Sequence, residues 1–261
     1  MVFLRLVVTT TVQSANLLIQ HKSLARKIFA MNGFNFSNVS YKLHMISTGI
    51  NKLDNYLGGG IKEGTITDIF GATATGKTQL TMQISINSLA DGGQVLFLDT
   101  TGQFRPERML DLIKIRNLDT NLLDRVKVAR ITNSSEQIQF LSKIKEKDFS
   151  LVVIDNVTDL FSFEFGKEEQ NLEKNVIFME YMHELSLISI QKKLPIVVTN
   201  IIRKIDDLEN ENMVKAISIF THIKIKLLKK DKKYSCEIFP SFLKKKEFPY
   251  QITKEGLIEL S

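Results

Sequence analysis

The chain has 261 residues, of which 43% are hydrophobic and 25% are charged, and its formal net charge is +6. This composition excludes an intrinsically disordered chain, and the single cysteine excludes an internal disulfide framework and a cysteine-rich zinc site. The four histidines argue against a histidine-based metal site, and no apolar run reaches the roughly 18 residues that a membrane-spanning helix needs.

The chain begins with a basic stretch that contains no acidic residue before Asp54. A basic, hydroxyl-rich start is typical of an organelle transit peptide, and a poorly ordered arm has the same composition. A start of translation at Met31 or Met45 is a third interpretation. We therefore predict a basic N-terminal arm over residues 1–44 and one core domain over residues 45–261.

The sharpest motif is a match to the phosphate-binding pattern G-x-x-x-x-G-K-[ST]. A predicted strand, Thr65–Phe70, precedes the match and a predicted helix, Thr78–Leu89, follows it, which is the context that the motif needs. Glycines let the backbone curl so that successive N–H groups point at phosphate oxygens, and Lys77 would reach the β- and γ-phosphates. The predicted phosphate-binding residues are Gly71, Ala72, Thr73, Ala74, Thr75, Gly76, Lys77 and Thr78.

Strands and helices alternate along the chain, which indicates an α/β fold whose strands pair in parallel through crossover connections. The last two predicted strands follow each other without a helix, and they predict a C-terminal antiparallel β-hairpin. The other predicted strands are Val95–Asp99, Val126–Arg130, Leu151–Asp155, Pro195–Asn200, Ile223–Leu228 and Ser235–Phe239, and the other predicted helices are Pro106–Ile115, Ser135–Lys147 and Lys174–Lys192.

A carboxylate at the end of an apolar strand completes a predicted magnesium site. The run 151–154 is apolar throughout and ends at Asp155, and the carboxyl edge of a parallel sheet faces the phosphate crevice. We predict that Thr78 places its hydroxyl on Mg²⁺ and that Asp155 binds the ion through water. The other interpretation of Asp155 is a turn or N-cap aspartate, since Asn156 follows it.

Four lysines surround the turn between the last two predicted strands. Clustered lysines are typical of a surface that follows a phosphate backbone. They are also typical of a sheet edge that lysine protects from aggregation. The sequence leaves both interpretations open for Lys229, Lys230, Lys232 and Lys233.

Around these motifs the chain resembles the core of the RecA-type recombinase family, in the branch that holds archaeal RadA and its core-only paralogue RadB, and its core-only length is most like RadB. The resemblance covers about residues 45–258 and is most specific at the run 104–108, Phe-Arg-Pro-Glu-Arg. It implies a RecA-like P-loop NTPase core with ATP and Mg²⁺ as cofactors, Gln79 at the nucleotide, and Arg108 stacked on the adenine. Other matching stretches are 47–54, 57–61, 98–100, 197–200 and 250–256.

Two positions depart from the pattern of the active recombinases. The glutamate that orients the attacking water in that family is Thr101 here, and the glutamine that senses the γ-phosphate is Ile201. Threonine cannot accept a proton from water at neutral pH, and general-base help is typically worth about 10²–10⁴ in rate. We therefore expect a slow, DNA-dependent ATPase, in which Glu107 or Asp159 is an alternative acid.

The resemblance also implies two DNA-binding segments, Phe163–Lys174 and Ile202–Val214. Their candidate DNA-binding residues are Lys167 in the first segment and Arg203 and Lys204 in the second. Acidic residues outnumber basic ones in both segments, and acids repel a phosphate backbone. A solvated linker is the other interpretation of both, so we expect the C-terminal lysines or the arm to supply much of the attraction for DNA.

The leading hypothesis is a recombination or DNA-repair accessory protein that binds ATP, DNA and a RadA-type recombinase or further copies of itself. Single-stranded DNA is the expected form, and the expected location is the cytoplasm of an archaeal-type cell, without membrane attachment, or an organelle if the arm is a transit peptide. The alternative is a KaiC-like signalling ATPase that does not bind DNA, although that branch typically carries acids where Thr100 and Thr101 stand. A scaffold that binds nucleotide only structurally is a third hypothesis.

Overall fold

The computed structural model describes residues 44–205, 208–239 and 246–260. The predicted arm over residues 1–44 lies outside these ranges except for its last residue. The described chain opens with a two-stranded antiparallel sheet, β1 (Met45–Ile46) and β2 (Ile61–Lys62), and helix α1 (Asn51–Leu57) lies between the two strands in sequence.

The remaining strands form one ten-stranded sheet. They are β3 (Ile66–Gly71), β4 (Val95–Asp99), β5 (Val126–Arg130), β6 (Leu151–Asp155), β7 (Ile196–Ile205), β8 (Leu208–Glu211), β9 (Ile223–Lys230), β10 (Lys233–Phe239), β11 (Lys246–Thr253) and β12 (Gly256–Glu259). The order is β12-β11-β10-β9-β3-β7-β6-β4-β5, and β8 pairs with the far end of β7. Pairing is parallel from β9 to β5 and antiparallel from β9 to β12.

Helices cover both faces of this sheet. They are α2 (Lys77–Ala90), α3 (Pro106–Ile115), α4 (Ser134–Glu146), α5 (Asp159–Glu164), α6 (Asn171–Lys192) and α7 (Val214–Phe220), and short 3₁₀ turns lie at Thr120–Arg125 and Glu168–Gln170. Helices α1 to α3 pack in one core cluster, and α4 to α7 pack in the other.

Strand β6 is apolar up to its last residue, because both of its faces are buried. All five of its residues are buried, and they point alternately into the two clusters. Leu151 and Val153 belong to the cluster with α1 to α3, whereas Val152 and Ile154 belong to the cluster with α4 to α7. Burying each such side chain contributes about 1.5–3 kcal/mol, which favours apolar residues along β6 until the strand reaches Asp155 at the sheet edge.

The predicted α/β fold with a mostly parallel sheet is confirmed, and three strands match their predicted bounds: Val95–Asp99, Val126–Arg130 and Leu151–Asp155. Two features were not predicted as strands. The hairpin β9–β10 continues into β11 and β12, and β7 extends past Asn200 to pair with β8. Strand β11 carries Pro249, which is unfavourable inside a sheet because it cannot donate to the ladder, and this obscured the strand in the sequence.

Across the described ranges, no helix is both long enough and apolar enough to cross a membrane.

Candidate functional site

The register of the parallel strands brings the predicted site residues to one edge of the sheet. Gly71 at the end of β3 pairs with Ile201 of β7, and Asp99 at the end of β4 pairs with Asp155 of β6. Parallel strands share their carboxyl edge, so the segments that follow them meet in one cleft of about 240 Å³. The cleft is lined by Thr73, Ala74, Thr75, Gly76, Lys77, Thr78, Gln79, Thr101, Gln103, Asp155, Asn156, Asp159 and Ile201.

The phosphate loop curls tightly between β3 and α2. Ala74 and Gly76 have left-handed backbone angles, with φ of 62° and 92°. Gly71 has no room for a side chain, because a Cβ atom there would lie 2.2 Å from the carbonyl oxygen of Leu227. A curled loop that leads into a helix N-terminus is the backbone arrangement that binds phosphate.

The ammonium group of Lys77 lies against this loop. Its Nζ donates to the carbonyl oxygens of Gly71 at 2.9 Å and Ala72 at 3.0 Å. Burial lowers the pKa of Lys77, and the nearby carboxylates of Asp155 and Asp159 oppose that shift. The loop therefore holds its cation in place, within reach of an anion bound to the loop.

Thr78 and Asp155, the two residues of the predicted magnesium site, lie side by side. The Thr78 hydroxyl donates to Oδ2 of Asp155 at 2.6 Å, and the Thr199 hydroxyl donates to Oδ1. Burial raises the pKa of Asp155, while the two threonine hydroxyls lower it. A hydroxyl beside a carboxylate supplies the hard oxygen ligands that Mg²⁺ takes when substrate phosphates complete its shell, so the residues present fit this ion.

Two residues from outside the loop support it. The Tyr250 hydroxyl donates to the carbonyl oxygen of Thr75 at 2.6 Å. Arg108 donates from Nε to Oε1 of Gln79 at 2.9 Å and from its terminal nitrogens to the carbonyl oxygens of residues 253 and 254. Arg108 does not line the cleft itself, but its guanidinium is anchored beside Gln79, where the cleft ends.

Thr101 lies in the cleft within a turn that Asp99 organises. The Asp99 carboxylate accepts hydrogen bonds from the backbone N–H groups of residues 101–104. It also accepts the Thr101 hydroxyl at 3.1 Å. The position of the expected glutamate is therefore at the cleft, as the resemblance implied, but its side chain is a hydroxyl that donates to a neighbouring carboxylate.

Ile201 presents an apolar side chain to the cleft, whereas the preceding Asn200 is buried and bonded away from it. The Asn200 side chain accepts from the Thr158 hydroxyl at 2.6 Å and donates to Glu211 at 2.9 Å. Thr158 follows Asp155 by three residues, and Glu211 ends β8. Asn200 thus joins the segment after β6 to the base of the β7–β8 hairpin.

The four C-terminal lysines lie at the tip of the β9–β10 hairpin, and all four are exposed. Leu227 pairs with Gly71, so the end of β9 projects from the same sheet edge as the phosphate loop. Strand β9 pairs with β3 only as far as Leu227, and β10 pairs with β11 only from Tyr234 onward. At the tip the two strands pair only with each other, so a phosphate-binding surface and a protected sheet edge are both consistent with Lys229, Lys230, Lys232 and Lys233.

The other candidate DNA-binding residues lie on two different segments. Lys167 is exposed beside the 3₁₀ turn that precedes α6. Arg203 lies on β7 and donates to Oδ1 of Asp159 at 3.2 Å. In the second segment, residues 202–205 and 208–211 pair as antiparallel strands, so these residues do not form an irregular linker. Lys204 also lies on β7, and its side chain is outside the described part of the chain.

Gln103 and Asn156 line the cleft although the sequence did not predict them as site residues. Gln103 lies in the turn that Asp99 organises, and Asn156 directly follows Asp155. The only available signal was position, because both residues follow strands that end at the carboxyl edge.

Comparison with known proteins gives a family match over nearly all of the described chain. The family model described as Rad51 matches residues 40–260. The DNA repair and recombination protein RadA of Cenarchaeum symbiosum is 38% identical over 163 residues, which is 55% of this chain. The DNA repair and recombination protein RadB of Thermococcus onnurineus is 36% identical over 160 residues, or 60% of this chain, and the DNA repair protein RAD51 of Saccharomyces cerevisiae is 33% identical over 170 residues, or 61%.

The matched region spans different shares of these relatives. It spans 41% of the RadA protein and 42% of the RAD51 protein, so less than half of each has a counterpart here. It spans 68% of the RadB protein.

Proposed function

Because the chain belongs to the Rad51 family, we propose that it is an ATP-binding recombination and DNA-repair accessory protein, most like RadB. It binds Mg²⁺-ATP and DNA, associates with a RadA-type recombinase or with further copies of itself, and turns ATP over slowly. The observation that carries this proposal is the cleft in which the curled loop 71–78 and the Thr78–Asp155 pair face one space.

In this proposal, different residues bind the phosphates, the metal ion and the base of the nucleotide. The loop N–H groups and Lys77 bind the phosphates, and Thr78 and Asp155 hold Mg²⁺, which neutralises phosphate charge when bound. Arg108 donates all three of its hydrogen bonds from the edge of the guanidinium. In the proposed complex a flat face of this guanidinium stacks on the base, because a weakly hydrated planar cation suits stacking.

Slow turnover follows from what the cleft contains at residue 101. The hydroxyl of Thr101 donates to Asp99, so it does not act as a base toward water. Residue 101 also brings no carboxylate to the cleft. Nucleotide binding without efficient hydrolysis suits a protein that assembles on DNA and is released slowly. This is a binding role more than a catalytic one.

A titration of fluorescent single-stranded DNA, with and without ATP and Mg²⁺, tests the proposal. We expect binding at low salt and a change in affinity when nucleotide is added. Double-stranded DNA of the same length is the control for strand preference. No detectable binding of either form at low salt would favour the signalling ATPase instead.

The lysine tip of β9–β10 predicts a specific salt dependence. Four lysines that each neutralise one phosphate give a slope near −2.8 in log affinity against log salt on a single strand, at about −0.7 per phosphate. Affinity is then expected to fall about 50-fold between 50 and 200 mM salt. We expect the dependence of DNA affinity on salt to be lost when four lysines are replaced by glutamine: Lys229, Lys230, Lys232 and Lys233. Fluorescence anisotropy measures this affinity.

A charge-matched variant controls for the loss of net charge alone. It replaces four exposed lysines that lie elsewhere on the described surface: Lys114, Lys127, Lys143 and Lys147. We expect this variant to keep most of the affinity and the slope. An equal loss in both variants would show that the β9–β10 tip is not a DNA-binding surface.

Restoring an acid at residue 101 is expected to raise turnover. In Thr101→Glu the carboxylate stands at the end of β4, beside the cleft, and we expect ATP hydrolysis at least tenfold above wild type. Thr101→Gln is the matched control, because it has nearly the same shape and cannot accept a proton. Equal rates for the two variants in a phosphate-release assay would contradict the interpretation of Thr101 as the missing base.

A further inference from the structure

The cleft holds a second carboxylate that the magnesium site does not use. Among the described residues that line the cleft, Asp155 and Asp159 are the two acids. Asp155 is 3% exposed, and two threonine hydroxyls occupy its oxygens. Asp159 begins α5, its side chain is 31% exposed, and it lines the same space as Thr101 and Ile201.

Asp159 lies at the phosphate end of the cleft. Its charge reaches the Lys77 ammonium and counters the effect of burial on that group. Glu107, the other acid that sequence offered as a substitute, lies exposed on the first turn of α3 and does not line the cleft. The structure therefore favours Asp159 over Glu107 as the substitute acid, whereas their positions in the sequence did not distinguish them.

Arg203 is the partner of Asp159. Its NH2 group lies 3.2 Å from Oδ1 of Asp159, and within the described ranges it is the one hydrogen-bond partner of that side chain. Arg203 lies on β7 in the hairpin with β8, and its side chain is 46% exposed. A half-exposed guanidinium on a hairpin has access to a nucleic-acid phosphate, and planar, bidentate binding of phosphate favours arginine.

We propose that Asp159 is the catalytic carboxylate of this chain and that Arg203 restrains it until a nucleic-acid phosphate draws the guanidinium away. The inference rests on the proposed ATP-binding function. In the reaction, the water oxygen forms a bond to the γ-phosphorus while the bond from that phosphorus to the β–γ bridging oxygen breaks. The bridging oxygen leaves with the electron pair on ADP, and Asp159 accepts the proton of the water.

The Arg203 contact explains how the hairpin can influence hydrolysis without a polar side chain at Ile201. While the ion pair is formed, the guanidinium occupies Oδ1 of Asp159, so this oxygen is less available to bind water. A phosphate bound at the hairpin offers Arg203 a stronger partner, since charge-assisted bonds to phosphate are often bidentate. The freed carboxylate then orients water in the cleft.

Phosphate release by Asp159→Asn and Arg203→Gln, with and without single-stranded DNA, tests the inference. We expect Asp159→Asn to lower hydrolysis about 100-fold, within the range for loss of a general base. We expect Arg203→Gln to raise the rate without DNA and to abolish stimulation by DNA. Glu107→Gln is the matched control and is expected to keep the wild-type rate.

Binding of a fluorescent ATP analogue is measured on the same proteins, so that two failures can be told apart. An analogue that does not bind the wild-type chain defeats the proposed function itself. If the analogue binds all variants equally but Asp159→Asn hydrolyses ATP at the wild-type rate, the assignment of Asp159 is wrong. A wild-type rate no higher than background, with and without DNA, would defeat both that assignment and the proposed slow turnover, while nucleotide binding would stand. Unchanged DNA stimulation in Arg203→Gln overturns the role of Arg203.

Discussion

Replacement of Lys77 by alanine is expected to weaken binding of Mg²⁺-ATP at least 100-fold. Lys77 is the cation that the phosphate loop holds in place, through hydrogen bonds to the carbonyl groups of Gly71 and Ala72. A hydrogen bond to a charged group is worth about 1.5–3 kcal/mol, and every 1.4 kcal/mol is about tenfold in affinity. Two such bonds to phosphate oxygens account for the expected loss.

Fluorescence titration with an ATP analogue measures this loss directly. Lys114→Ala is the matched control, since Lys114 is exposed on α3 and does not line the cleft. Thermal unfolding of both variants shows whether the fold is kept. Unchanged affinity in a folded Lys77→Ala protein would show that the nucleotide site is elsewhere.

Replacement of Lys224 by methionine is expected to lower the free energy of unfolding by about 3–5 kcal/mol. The Lys224 ammonium lies 3.3 Å from Asp68 and 2.5 Å from Glu211, and the two carboxylates are 0% and 5% exposed. Removing the cation leaves two buried acids without a positive partner. This is the situation in which breaking a buried ion pair costs most.

The loss is expected to depend on pH in a defined direction. Burial, together with the charge of Glu211, raises the pKa of Asp68 well above its ordinary value of 3.8. A carboxyl group that holds its proton more tightly when folded contributes less stability as pH rises above its unfolded pKa. Without Lys224 this effect grows, so the destabilisation is expected to be larger at pH 8 than at pH 5.

Urea denaturation at these two pH values provides the measurement. Lys230→Met is the control, because Lys230 is exposed at the end of the same strand and surface substitutions usually stay within about 0.5 kcal/mol. A similar loss in both variants, or a larger loss at pH 5, would mean that Lys224 does not compensate buried acids.

Each strand of the β7–β8 hairpin carries a charged side chain that forms an ion pair. Glu211 at the end of β8 binds Lys224 and Asn200, while Arg203 on β7 binds Asp159 at the cleft. In the proposed mechanism, a change in the hairpin reaches the candidate nucleotide site through the Arg203–Asp159 contact rather than through Ile201. The Arg203 and Lys224 variants test the two sides separately.

The sequence by itself determined the candidate nucleotide site, because the parts of that site are local. Residues 71–78 are consecutive, and their glycines and lysine carry the cradle whatever surrounds them. Asp155 was predictable because an apolar strand that is buried on both faces ends in the first carboxylate at the sheet edge. The threonine at position 101, where the resemblance implies a glutamate, could also be recognised from the sequence, because a hydroxyl in place of a carboxylate changes the chemistry at one position.

Tertiary structure alone decided which distant residues act together. Asp159 and Arg203 are 44 positions apart, and Lys224 meets Asp68 and Glu211 only because β9 lies beside β3 and near the hairpin. The order and register of strands bring such pairs within hydrogen-bond distance, and no periodicity along the chain encodes that order. For the same reason strand β11, which contains Pro249, is recognised only in the structure, where it pairs with β10 on one side and with β12 on the other.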